Sequence, residues 1–140
     1  MIPKFRAYDS VKKKFVEHFF ITDNSLICNM EKPTSGYNSP IPVEKSELIL
    51  MQSTGLHDKN GKDIFEGDIL KVANNDSSWF EVVKYDHDKA MFISKEVNLK
   101  YEVPETPLYD LFSPYLFKVE VIGNIWEDCD LIDGKKVNEN

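Results

Sequence analysis

Apolar and polar positions alternate in short runs along this chain, and repeats at helical spacing are nearly absent. Residues 4–8 place Phe5 and Ala7 on one side, and after the turn-forming Asp9-Ser10 residues 15–21 place Phe15, Phe19 and Ile21 on one face. An N-terminal β-hairpin is the predicted element. His18 alternates with the apolar neighbours of that strand, which predicts a partly buried structural histidine. Residues 26–30 predict one more short strand. Residues 31–46 carry Pro33, Gly36, Pro40 and Pro42 without any period and read as a surface loop.

The stretch 48–72 is the most strongly patterned. Residues 48–53 alternate as a strand that ends at Thr54-Gly55. Asp58-Lys59-Asn60-Gly61-Lys62 predicts a tight turn, because Asp and Asn side chains bond their own backbone and Gly61 supplies a positive φ. Glu66-Gly67-Asp68 opens a strand at 69–72, Asn74-Asn75-Asp76 closes it, and strands follow at 80–85 and 90–94 around the turn Asp86-His87-Asp88-Lys89. Such a meander suits a small SH3-like barrel, in which closure removes exposed strand edges. Ile69, Val82, Phe92 and Ile122 are its expected core.

Between 95 and 118 the meander is interrupted. Thr106-Pro107 supplies a helix start, and Leu108, Leu111 and Phe112 sit at i, i+3 and i+4 before Pro114, which predicts one short helical turn. Tyr101, Tyr109, Phe112, Tyr115 and Phe117, with Leu108, Leu111 and Leu116, crowd this insertion. So many large apolar groups either close over the barrel or form an interaction surface. Tyr101, Leu108, Tyr109, Phe112, Tyr115 and Phe117 are the candidate protein-interaction residues. Residues 118–122 then alternate, Gly123-Asn124 bends the chain, and Ile125-Trp126 is read as the closing strand. The expected organisation is one β-rich domain over 1–132, with a polar tail at 133–140.

Composition sharpens this picture. With 17 Lys plus Arg against 24 Asp plus Glu, the net charge is −7, and Arg6 is the lone arginine. Phosphate and nucleic-acid recognition are disfavoured, because arginine supplies the bidentate fork that phosphate and guanine prefer. Cys28 and Cys129 stand far apart without a CxxC partner and read as free thiols. No run reaches the roughly eighteen apolar residues of a membrane helix, and MIPKFRAYD lacks the apolar core of a secretion signal, so a cytoplasmic location without membrane association is expected.

Candidate chemistry is sparse. Asp58, Asn60 and Asp63 beside Gly61 invite a calcium loop, yet an EF-hand needs its glycine at the sixth position and Gly61 is the fourth counting from Asp58. Asp86-His87-Asp88 could bind a divalent metal, but three consecutive residues on a turn cannot all point one way, and no second His or Cys lies at ligand spacing. Glu66, Asp68 and Asp63 form the nearest carboxylate set, but acid catalysis needs carboxylates converging in a cleft. No Ser or Cys lies in a nucleophile-elbow context. Gly55, Asp58, Asn60, Gly61, Gly67, Asp68 and Gly123 are accordingly read as structural turn residues. No catalytic, metal or cofactor site is expected.

Three blocks in fixed order, KFRAYD, LMQSTGLHDKNGKDIFEGDILKV and VEVIGNIWEDCDLI, resemble the YopX family of small phage- and prophage-encoded proteins. The resemblance implies a β-rich fold and a bacterial host cell, and it carries no catalytic residue. The expected function is an accessory or protein-binding module, with an unidentified protein or a second copy as partner. The alternatives are a nucleic-acid-associated barrel using Trp79, Phe80 and Tyr85 to stack on bases, or an acidic inhibitor of a host DNA-binding protein.

Overall fold

Period-two alternation yields strands throughout. In the computed structural model, which describes residues 3–31, 39–97, 100–113 and 116–132, the chain is mainly β with three short 3-10 turns. The tail 133–140, Tyr115 and residues 32–38 of the predicted 31–46 loop lie outside the described residues. Two compact units are present, Lys4–Gln52 and Ser53–Asn140 with Met1–Pro3.

In the N-terminal unit, β1 (Phe5–Asp9) and β2 (Lys14–Val16) form the predicted hairpin with Ala7 opposite Val16. The Asp9 carboxylate closes it by accepting the backbone N–H groups of Val11 and Lys12, each at 2.9 Å. The second predicted strand is broken. The chain bends at Glu17-His18, and β3 (Phe19–Ile21) pairs instead with β4 (Leu26–Asn29), which pairs with β5 (Ile41–Pro42). His18 is therefore exposed at a bend, contrary to its alternation. A 3-10 turn at Val43–Lys45 leads into β6 (Leu48–His57), whose first half pairs with β1. Ala7, Val16, Ile27 and Leu48 form the core of this unit, with Phe19, Ile21, Val43 and Leu50 packed on it. The Arg6 guanidinium lies over the Phe15 ring, 5.0 Å from its centroid.

The second half of β6 pairs with β7 (Asp63–Phe65) in the C-terminal unit. Five further strands make one antiparallel sheet: β8 (Asp68–Ala73), β9 (Ser78–Asp86), β10 (Met91–Glu96), β11 (Thr106–Pro107) and β12 (Lys118–Asn124), in the order β11-β10-β9-β8-β12. One face holds Leu70, Val72, Val83 and Val119, packed with Ile64, Leu108 and Leu111. The register places Ile69, Lys71, Val82, Lys84 and Lys95 on the other face.

That register corrects the expected core. Ile69 and Val82 are buried, whereas Phe92 and Ile122 are half-buried. Phe92 pairs with Tyr85 and so shares the face of Val83, opposite Val82. Ile122 falls where the β8-β12 register shifts, and a bulge there re-aims its side chain. Leu108–Phe112 forms the predicted helical turn, in 3-10 geometry, with Pro107 as its cap while Thr106 is taken up as a strand partner of Ser94. Ile125-Trp126 forms a turn instead of a closing strand. Among the described residues, no helix is long and apolar enough to cross a membrane.

Candidate binding groove

The predicted turn residues hold backbone. Gly55, Gly61 and Gly67 have φ of 83°, 81° and 88°. Asp58 is buried, its Oδ1 accepts from the N–H groups of Asn60 and Lys62, and its Oδ2 accepts from Val121, each at 2.9 Å. Burial alone would raise its pKa, but the N–H donors of Val121, Lys62 and Asn60 outweigh it and hold the carboxyl below its ordinary value. Asp68 is buried and accepts the Phe65 N–H at 2.8 Å. Gly123 faces Asp128, which accepts the Asn124 N–H at 3.0 Å.

Two of the three carboxylates named as the nearest acid set, Asp63 and Asp68, are engaged with separate partners. Asp63 pairs with His57 at 2.8 Å while Asp68 caps its turn. Asp86 accepts from Asp88 and Lys89 in a loop turn. Among the described residues, no group of three His, Cys, Asp or Glu is placed to hold a metal ion. Buried Glu81 lies at a hollow of about 190 Å³ with Glu96, Trp79 and Val103, and both of its oxygens are engaged, by Ser94 Oγ at 2.7 Å and Trp79 Nε1 at 2.8 Å.

The aromatic insertion divides in two. Leu108 is buried, and Phe112 and Phe117 pack against the same core, where Phe117 meets Trp79 edge-on at 5.9 Å. Leu108 is enclosed in that core, whereas Phe112 and Phe117 are half-buried and line a hollow of about 240 Å³ beside it. Tyr109 is 70% exposed and Leu116 62%. Tyr101, 66% exposed, takes part in a different feature.

That feature is a groove of about 450 Å³ on the Val82 face of the sheet. Val82 and Lys84 of β9 and Lys95 of β10, with Val97 beyond it, form its floor, because residues two apart on paired strands share a face. Tyr101, Glu102 and Val103 line it from the segment between β10 and β11, and Ile125 and Ile132 from the segment after β12. Ile125 is positioned by its N–H bond to the Gly67 carbonyl at 2.9 Å, and Val97 by its N–H bond to Phe80 at 2.9 Å. Lys95 Nζ lies 2.7 Å from Glu102 Oε2. The hydrogen bond between them raises the Lys95 pKa and lowers that of Glu102. The groove thus offers apolar walls around two lysines, with the carboxylates Glu96 and Glu102 in the same lining.

Of the residues that line the groove, the sequence singles out Tyr101 as a candidate for interaction and Val82 as core, and it marks none of the others as lining residues. Lys84 and Lys95 were detectable only through the β9-β10 register, and Ile125 and Ile132 only through the turn that follows β12.

A family model described as YopX protein matches residues 4–133. The chain belongs to the YopX family. A search of curated proteins finds no match. Among solved structures, the YopX-family chain resembles the crystal structure of protein EF1440 from Enterococcus faecalis, with a TM-score of 0.61 and 28% identity over 95% of this chain and 99% of that one. It also resembles the crystal structure of protein yopX from Bacillus subtilis, with a TM-score of 0.58 and 19% identity over 92% of this chain and 97% of that one. The second likeness is one of fold.

Proposed function

We propose that this YopX-family protein is a phage-encoded accessory protein that works by binding another protein, with the groove at Lys84, Lys95 and Tyr101 as the seat for part of that partner. The observation that carries the reading is the groove itself, about 450 Å³ of largely apolar surface with two lysines and an exposed tyrosine. Its size falls within the range of ligand sites, and exposed Tyr beside apolar walls is typical of protein recognition. The phage setting rests on the resemblance of the three sequence blocks. A non-catalytic role fits the employment of the buried acids, since Asp58, Asp68 and Glu81 each accept hydrogen bonds that hold local structure.

Base stacking is the weaker reading. Trp79 is bonded to Glu81 and packed on Phe117, and Tyr85 packs on Phe92 at 5.1 Å. Lys71 shares the sheet face of Lys84, but Glu120 stands opposite Lys71 and pairs with Lys59 at 3.6 Å, which offsets the positive charge there.

The test is affinity capture from bacterial host lysate with the tagged full chain, against a variant carrying Lys84→Glu and Lys95→Glu. The expected result is a defined partner captured by the parent and lost from the variant at unchanged melting temperature. Capture of the same partner by both proteins would overturn the groove as its seat.

A further inference from the structure

Glu102 is a carboxylate that the chain supplies to its own groove. Lys95 belongs to β10 and is 33% exposed, whereas Glu102 sits in the irregular segment between β10 and β11 and is 87% exposed. The cation is therefore fixed by the sheet and the anion reaches it from solvent. Lys84, on the neighbouring strand, also acts electrostatically on Glu102. Lys84 and Lys95 bring two positive charges to this groove, matched in the free protein by Glu102 and Glu96 of the same lining, so that moving Glu102 away leaves one positive charge in excess, and Val82, Val97, Val103, Ile125 and Ile132 surround the lysines with apolar surface. An ion pair this exposed contributes little to the fold and exchanges readily for an equivalent partner.

We infer that the groove accepts an extended segment of a partner protein bearing a carboxylate side chain between apolar residues, and that Glu102 occupies the carboxylate position in the free protein and is displaced on binding. The inference rests on reading the groove as a ligand seat. The charge match chooses the occupant: apolar side chains fill the walls, and an acid replaces Glu102 between Lys95 and Lys84. A role of Glu102 as a mere strap on its loop makes the opposite forecast, because removing a strap weakens the site while removing a competitor strengthens it.

The experiment titrates the ¹⁵N-labelled full chain with the peptide acetyl-Val-Leu-Glu-Leu-Val-amide, with its Gln counterpart and with decanoate, following the amide resonances of Lys84, Lys95 and Tyr101. The Glu peptide is expected to shift these resonances and to bind more tightly than the Gln peptide, with a difference that shrinks as salt is raised. Glu102→Gln and Glu102→Ala should each tighten the Glu peptide by about threefold, the scale of one exposed ion pair, at unchanged melting temperature. Equal binding of the two peptides, absence of shifts, or weakened or unaltered binding in both Glu102 variants would overturn the inference. Tighter binding of decanoate than of the Glu peptide would overturn it in favour of a small amphiphile. If the captured partner still depends on Lys84 and Lys95 while the peptides fail, the acidic-segment inference falls and the groove reading stands.

Discussion

Asp58 binds three backbone N–H groups with one side chain, and one of them, on Val121, is 63 residues away in sequence. An asparagine there keeps one acceptor oxygen but turns an amide toward one donor, so Asp58→Asn should cost about 1–3 kcal/mol by chemical denaturation. The pH dependence has a definite sign. Because the native carboxyl titrates below its ordinary value of 3.8, its stabilisation is complete above that value and is lost as the pH falls through the lower native one. Parent and Asp58→Asn stabilities should therefore differ most near neutrality and converge on acidification below about pH 4; a gap independent of pH would contradict this role. Two glycines test different demands. A Cβ at Gly61, whose φ is +81°, meets nothing within 4 Å, whereas one at Gly123 would lie 2.5 Å from Asp128 Oδ2. Gly61→Val should cost about 1–2 kcal/mol through backbone strain alone and leave partner binding per folded molecule unchanged. Gly123→Ala should cost about 1–3 kcal/mol by forcing Asp128 from its bond to Asn124. Thermal melts of the two variants check both, and a neutral Gly123→Ala would show that Asp128 moves freely.

Within the insertion, one 3-10 turn serves the fold and the solvent with adjacent residues. Leu108→Ala and Leu111→Ala should each cost about 2–5 kcal/mol, while Tyr109→Ala should stay within about 0.5 kcal/mol. Equal effects in denaturant unfolding would mean that the turn does not pack as described. The helical spacing of Leu108, Leu111 and Phe112 made this turn legible in sequence, as alternation did for β1, β4 and most of β8 to β10. Alternation did not reveal the break at Glu17-His18, since β2 and β3 continue one apolar period while joining different partners. It also missed β7, whose three residues are too few to show a period, and it could not anticipate the bulge that turns Ile122 out of the expected core. The groove was the least legible feature. Its residues come from two strands and two irregular segments spread over positions 82–132, and only pairing register brings Lys84 and Lys95 together.

For the molecule as a whole, charge and surface decide which partners are compatible. With a net charge of −7 and a single arginine stacked on Phe15, the electrostatic attraction that drives non-specific DNA binding is missing. Duplex DNA should bind more weakly than about 1 μM at physiological salt, as read by fluorescence anisotropy; tighter binding with a steep salt dependence would favour a nucleic-acid role. The central claim is that a partner protein is seated at the groove, and proximity measured inside the cell tests it most directly. Replacing Tyr101 with the photo-crosslinker p-benzoylphenylalanine places the probe at the groove, and the same replacement at Tyr109, 70% exposed on the turn that packs against the opposite face of the sheet, is the control. After irradiation of host cells, the account predicts one discrete adduct from position 101 that disappears with Lys84→Glu and Lys95→Glu, and none of that mass from position 109. An adduct from position 109 with none from position 101, or one at 101 indifferent to the lysine changes, would contradict it.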